Sequence, residues 1–202
     1  MSDVLRYSAS LSSGAALALA APQGAVTRVR VPDPQARARF IAAVAKARCD
    51  GEGEALELFG EPVAGLRDAA RTRLLRRVGV VSPAVSLIAS LNAWENISLP
   101  AEYHGSPARE RVAELAREVL GAFVGDPVAL LGRLPDQLTP LERRVVCLAR
   151  LLVVGPELAV LDGLREGLSP EECACVPRFE EEYLARHASG SVLIVDTMEK
   201  PS

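Results

Sequence analysis

Three junctions in the chain put a small oxygen-bearing residue directly before a proline: Asp33-Pro34 in VPDPQARAR, Thr139-Pro140 in LTPLE and Ser169-Pro170 in LSPEE. The first joins an apolar run of strand length to an Ala- and Arg-rich run of helical length. Many α/β proteins hold phosphate at such a junction, on backbone N–H groups that glycine leaves open at the helix start. VPDPQARAR contains no glycine. Asp33 reads instead as an N-cap, and Pro34 takes the first helical position, where a missing N–H costs nothing. Thr139 with Glu142, and Ser169 with Glu172, read as capping boxes. A cap contributes about 1 kcal/mol, and a carboxylate at a helix start gains a further ~0.3–1 kcal/mol from the helix dipole. Asp33 thus stabilises an empty helix start and repels a phosphate from it.

Other reactive side chains form no pattern. Cys49, Cys147, Cys173 and Cys175 lack paired metal-ligand spacing, and Cys147 sits in the apolar run VVCLAR, so all read as reduced thiols of a cytosolic protein. His104 and His187 stand far apart without a Cys or Asp pattern around them. Neither a metal nor a cofactor is expected. A net charge of −3 supplies no field for nucleic acid. The arginines of RTRLLRR, Arg71 to Arg77, are interrupted by Leu74 and Leu75 and read as a solvated, partly amphipathic segment.

These junctions need elements to hold them. With 202 residues, 49% of them hydrophobic, the chain can bury one substantial core with a subdomain. VLRYSAS, AALALA and AVTRVRV read as strands around turns at SSG and PQG. The run GAALALAAPQGA faintly resembles a secretion signal, but Asp3 weakens its positive start and a strand pair around APQG explains it better. Residues 34–48 read as a helix, EALELFG as a short strand and VGVVS as a buried one. A helical pattern then dominates from LIASLNAWENI to LERRVVCLARLLVVG, followed by the strands LAVLD (158–162) and SVLIVD (191–196) with a helix between them. Strand, helix, strand in this order implies a parallel sheet with right-handed crossovers. No apolar run approaches the ~20 residues of a membrane span.

Taken in order, RVGVVSPAVSLIASLNAWENISLPAEYHG and LPDQLTPLERRVVCLARLLVVGPELAVLDGL resemble the ATP-binding cassette (ABC) ATPases, the motor subunits of ABC transporters. AWENISLP, LARLLVVGPELAVLD and GEALELFGEPV look like that family's scaffold. The resemblance implies an α/β ABC-ATPase-like fold: a mainly parallel central sheet, N-terminal antiparallel strands and an inserted helical subdomain. It assigns residues 1–82 and 155–202 to the core and 83–154 to the helical subdomain of a single domain. The family's active-site residues fail nearly everywhere. Its phosphate loop falls on Val31 to Arg39, with Asp33 and Pro34 inside it, Arg37 at the lysine position, and Ala38 and Arg39 at the magnesium-binding hydroxyl positions. The glutamine that senses the third phosphate falls on Pro83. The signature becomes Leu138, Thr139, Pro140, Leu141 and Glu142. The magnesium-associated aspartate survives as Asp162, but the water-activating glutamate is Gly163. Ser169 replaces the aspartate of the loop across the dimer interface, and the switch histidine falls near Thr197.

From these losses the sequence predicts a non-catalytic, pseudo-ATPase subunit, not an enzyme, that binds no ATP and acts as a structural or regulatory partner within an ABC transporter or related complex. Arg37 is expected on the surface, and Asp162 as a capping or structural acid. Pro83, Leu87, Ile88, Leu91, Trp94 and Tyr103 are the candidates for a partner groove; Trp94 either anchors that interface or packs the lobes together. The expected partner is a transporter membrane subunit, another ABC ATPase or a second copy of the chain, and the expected location is the cytoplasm, peripheral to the membrane through that partner. The alternative reading is a divergent nucleotide-binding sensor or slow ATPase that uses Arg37 and Asp162.

Overall fold

The strand and helix boundaries follow local chemistry closely. The computed structural model describes residues 2–11, 14–83, 87–104 and 109–197. By their contacts these divide into two compact units, the first comprising residues 1–80, 156–163 and 187–202 and the second residues 81–155 and 164–186. Residues 164–186, placed with the core by the sequence reading, group instead with the helical unit.

The first unit holds two sheets. Strands β1 (Asp3–Ser10), β2 (Ala16–Pro22), β4 (Ala55–Leu58) and β5 (Glu61–Pro62) form an antiparallel sheet in the order β2-β1-β4-β5. Along β1 and β2 buried and exposed residues alternate, the period of a sheet with one face on the core. The run that faintly resembles a secretion signal is thus β2, paired to β1. The second sheet has the order β3-β8-β7-β6, from β3 (Val26–Val31), β6 (Val78–Val81), β7 (Leu158–Asp162) and β8 (Ser191–Thr197). Strands β3, β8 and β7 run parallel. All of β7 is buried, as expected of a central parallel strand.

Helix α1 (Pro34–Lys46) follows β3 and buries Ala36, Phe40, Ile41, Ala43 and Val44. The Phe40 ring meets that of Tyr7 on β1, with centroids 4.9 Å apart. Tyr7 also donates to Glu54 at 3.2 Å, and burial, with the Glu54 charge second, raises the phenol well above the ordinary tyrosine range. The arginine-rich segment becomes helix α2 (Asp68–Leu75) with its charges dispersed: Arg71 pairs with Asp68 and Arg73 with Glu61, while Leu74 is buried. Beyond the helix, Arg77 pairs with Glu157.

The second unit is helical, from α3 (Ala93–His104), α4 (Arg109–Gly121), α5 (Pro127–Leu131), α6 (Pro140–Val154), α7 (Pro170–Cys173) and α8 (Pro177–Arg186). Helix α6 is its centre: nine of its residues, from Arg144 to Val153, are buried, and it stops at Gly155 in the left-handed conformation that favours glycine. No helix of the described residues is long and apolar enough to cross a membrane.

Candidate functional site

In a parallel α/β sheet, ligands meet the carboxyl ends of the strands. Val31 ends β3 opposite Thr197 at the end of β8, and Asp162 ends β7 opposite Val195. One turn into α1, Arg37 reaches these strand ends. Its Nε lies 3.0 Å from Asp162 Oδ1, and its Nη1 donates to Thr197 Oγ1 at 2.6 Å. The Arg37 side chain is only 13% exposed and that of Asp162 3%. Arg37 is therefore not the surface arginine expected from sequence. Asp162 is held in this ion pair at the end of β7. Three positions that the resemblance gives to the phosphate loop, the magnesium aspartate and the switch converge on one guanidinium.

The junction at the head of α1 is capped as its sequence implies. Asp33 is extended (φ −144°, ψ 156°), and its Oδ1 accepts from Ala36 N at 2.7 Å, with Pro34 at the helix start. Arg39 is turned away from the strand ends: it donates to the Ser10 carbonyl at 3.2 Å and stands 3.6 Å from the buried Glu54 carboxylate. Gly163 has φ +53° and donates its N–H to the Val195 carbonyl at 3.0 Å. A side chain in that conformation is strained by about 1–2 kcal/mol, which explains the glycine.

Magnesium requires several oxygen ligands in near-octahedral array. Here the hydroxyl positions are Ala38, with no donor, and Arg39, a cation bound elsewhere, while Asp162 is already paired with a guanidinium. The donor set does not fit the ion.

In the helical unit, Thr139 and Glu142 form a reciprocal box: Glu142 N donates to Thr139 Oγ1 at 3.2 Å and Thr139 N to Glu142 Oε2 at 2.8 Å. Arg133 Nη1 binds the second Glu142 oxygen at 3.2 Å. Pro140 and Leu141 lie within this first turn. Ser169 and Glu172 repeat the box at α7 with the same two distances. Sequence reasoning missed Arg144, which is 8% exposed and ties the first turn of α6 to the loop before α7 through the Pro140 and Glu166 carbonyls. Burial holds its guanidinium below the ordinary arginine value. The only hint in sequence was a charge inside an apolar helix stripe.

The partner-groove candidates separate by exposure. Pro83 and Ile88 are exposed, and Leu91 and Trp94 half-buried. Leu87 is buried, and with Pro83, Pro140, Arg144 and Cys147 it lines a cavity of about 330 Å³. The Tyr103 side chain lies outside the described residues. Asn96, also missed, organises this segment from a position 2% exposed: its Oδ1 accepts from Ile88 N, and its Nδ2 donates to the Ile88, Leu91 and Asn92 carbonyls.

Solved structures share this architecture. The chain aligns over 96% of its length with the bacterial ABC transporter cassette MJ0796, covering 88% of that chain, at a TM-score of 0.73 and 16% identity. The fold is that of the ATP-binding cassette ATPases. CbiO1 from Clostridium perfringens, described as part of the ABC transporter complex cbiONQ, matches 98% of the chain and is itself covered over 79%, with a TM-score of 0.69 and 14% identity. No family model matches the chain. Curated relatives do: methionine import ATP-binding protein MetN 1 of Rhodococcus jostii is 37% identical over 120 residues, 59% of this chain and 34% of the relative. MetN of Cereibacter sphaeroides is 34% identical over 125 residues, 60% of this chain and 34% of the relative. The chain thus spans about a third of the length of these curated relatives. Their names correct the expectation of a chain that is not an enzyme. These relatives are named as ATP-binding import proteins.

Proposed function

We propose that the chain is a divergent nucleotide-binding subunit of an ABC-type importer, a sensor or slow ATPase whose phosphate contact is Arg37. The observation that carries this reading is the meeting of Arg37, Asp162 and Thr197 at the ends of three parallel strands. A guanidinium presents five donors in a planar fork and binds phosphate readily. Weak affinity follows from Asp33, whose carboxylate takes one helix-start N–H and opposes an anion. Slow turnover follows from Gly163, which offers no carboxylate to activate water. The names of the curated relatives support the ATP and import parts of the reading.

The membrane subunit of the importer docks, in this reading, on the segment around Pro83, Ile88, Leu91 and Trp94, which Asn96 holds in shape. A thermal melt with and without about 1 mM ATP tests the nucleotide part. Ligand at ten times its dissociation constant adds about 1.4 kcal/mol, a rise of roughly 3–6 °C for a chain of this size. No rise at any nucleotide concentration up to solubility refutes it.

A further inference from the structure

We infer that this site takes a nucleotide polyphosphate without a divalent cation, the Arg37 guanidinium supplying the positive charge that the fold family draws from lysine and magnesium. The inference rests on the nucleotide-binding reading above and concerns how that same site is charged. Magnesium in such a site bridges a carboxylate to phosphate oxygens. Asp162 is the one carboxylate at these strand ends that the resemblance offers for the purpose, and Arg37 Nε already stands 3.0 Å from it in a pair whose two side chains are 13% and 3% exposed. To reach Asp162 a dication would have to enter beside a guanidinium in a poorly solvated position, where like charges repel strongly. Nothing at Ala38 or Arg39 compensates, since one has no donor atom and the other is committed to Ser10 and Glu54.

Arg37 meets the same requirement by different geometry. Nη1 donates to the Thr197 hydroxyl and Nε lies within 3.0 Å of the carboxylate, and these two contacts hold the guanidinium at the strand ends. A fixed guanidinium can bridge a carboxylate and a phosphate oxygen as the ion would, without a hydration shell to remove. A lysine would meet the two as a point charge, without the planar fork that fixes their relative geometry.

The test is titration calorimetry of the wild-type chain with ATP in magnesium and, separately, in EDTA. The expected result is a dissociation constant in EDTA equal to or below that in magnesium. Binding at least about tenfold tighter in magnesium overturns the inference and leaves the nucleotide reading standing. Absence of binding in both buffers overturns the nucleotide reading, and the inference with it. Arg37→Lys, which keeps the charge and loses the fork, is expected to weaken binding about tenfold in both buffers, with its melting temperature recorded to establish folding. Unchanged affinity in folded Arg37→Lys also refutes the role given to the fork.

Discussion

Asp33 sets stability against anion binding, so replacing it should move the two in opposite directions. Its Oδ1 sits 2.7 Å from Ala36 N, and its backbone is in the extended region that any residue can adopt, so substitution brings no backbone strain. Asp33→Ala removes the cap at a cost of about 1 kcal/mol, and Asp33→Gly costs only a few tenths. For a chain of this length 1 kcal/mol lowers the melting temperature by roughly 2–4 °C. Both changes release one N–H to a charged phosphate oxygen, a hydrogen bond worth about 1.5–3 kcal/mol, or roughly 10- to 100-fold in ATP affinity. Asp33→Asn separates the contributions: it keeps the cap and removes only the charge, so stability should fall by about 0.3–1 kcal/mol from the lost dipole term, while affinity should rise because the carboxylate no longer repels the phosphate. Calorimetry with ATP and melts of the three variants measure both quantities. If Asp33→Ala and Asp33→Gly lose stability as expected but bind ATP no better than the parent, the carboxylate is not what restrains the anion.

Asn96→Ala removes the partners of several part-buried polar groups of residues 88–92 and should cost about 1–2 kcal/mol in urea denaturation, with faster hydrogen exchange at the Ile88 amide; an unchanged midpoint contradicts the assigned role. Arg77 grips Glu157 with Nε and Nη2 at 2.6 and 2.9 Å, and this hydrogen bonding lowers the Glu157 pKa. A depressed carboxylate contributes its full stability above the unfolded value and loses it as pH falls through the folded one. The stability gap between parent and Glu157→Gln should therefore vanish as pH drops below about 4. Glu157 is 57% exposed, so the gap at neutral pH should stay below about 1 kcal/mol; a gap that widens in acid refutes the pairing. Burial raises the Cys147 thiol, so iodoacetamide at mildly alkaline pH should modify Cys173 and Cys175 in the native chain and Cys147 only after unfolding. Equal native rates would show that α6 opens.

The strands and most helices were legible because their signals are local. Alternation along VLRYSAS and ALALA marks a sheet with one buried face, and the all-apolar LAVLD marks a central strand; both patterns come from side chains two residues apart. The burial of Leu87 was not legible, because an apolar residue in a loop offers no local sign of whether it faces solvent or its own lobe. The boundary of the helical unit was misread: residues 164–186 follow a core strand in sequence but pack with helices that precede it.

The clearest contrast lies within the candidate site. A cap joins a residue to the N–H three positions on, so Asp33-Pro34, Thr139 with Glu142 and Ser169 with Glu172 could be read from the chain alone, and the structure forms each bond. Arg37 meets Thr197 across 160 residues. That contact exists because β8 lies between β3 and β7, an order set by which buried strands pair most favourably and visible in no single stretch of sequence. Local hydrogen bonding therefore determined how each helix begins, while strand order, a property of the whole core, decided which charges would stand together at its edge.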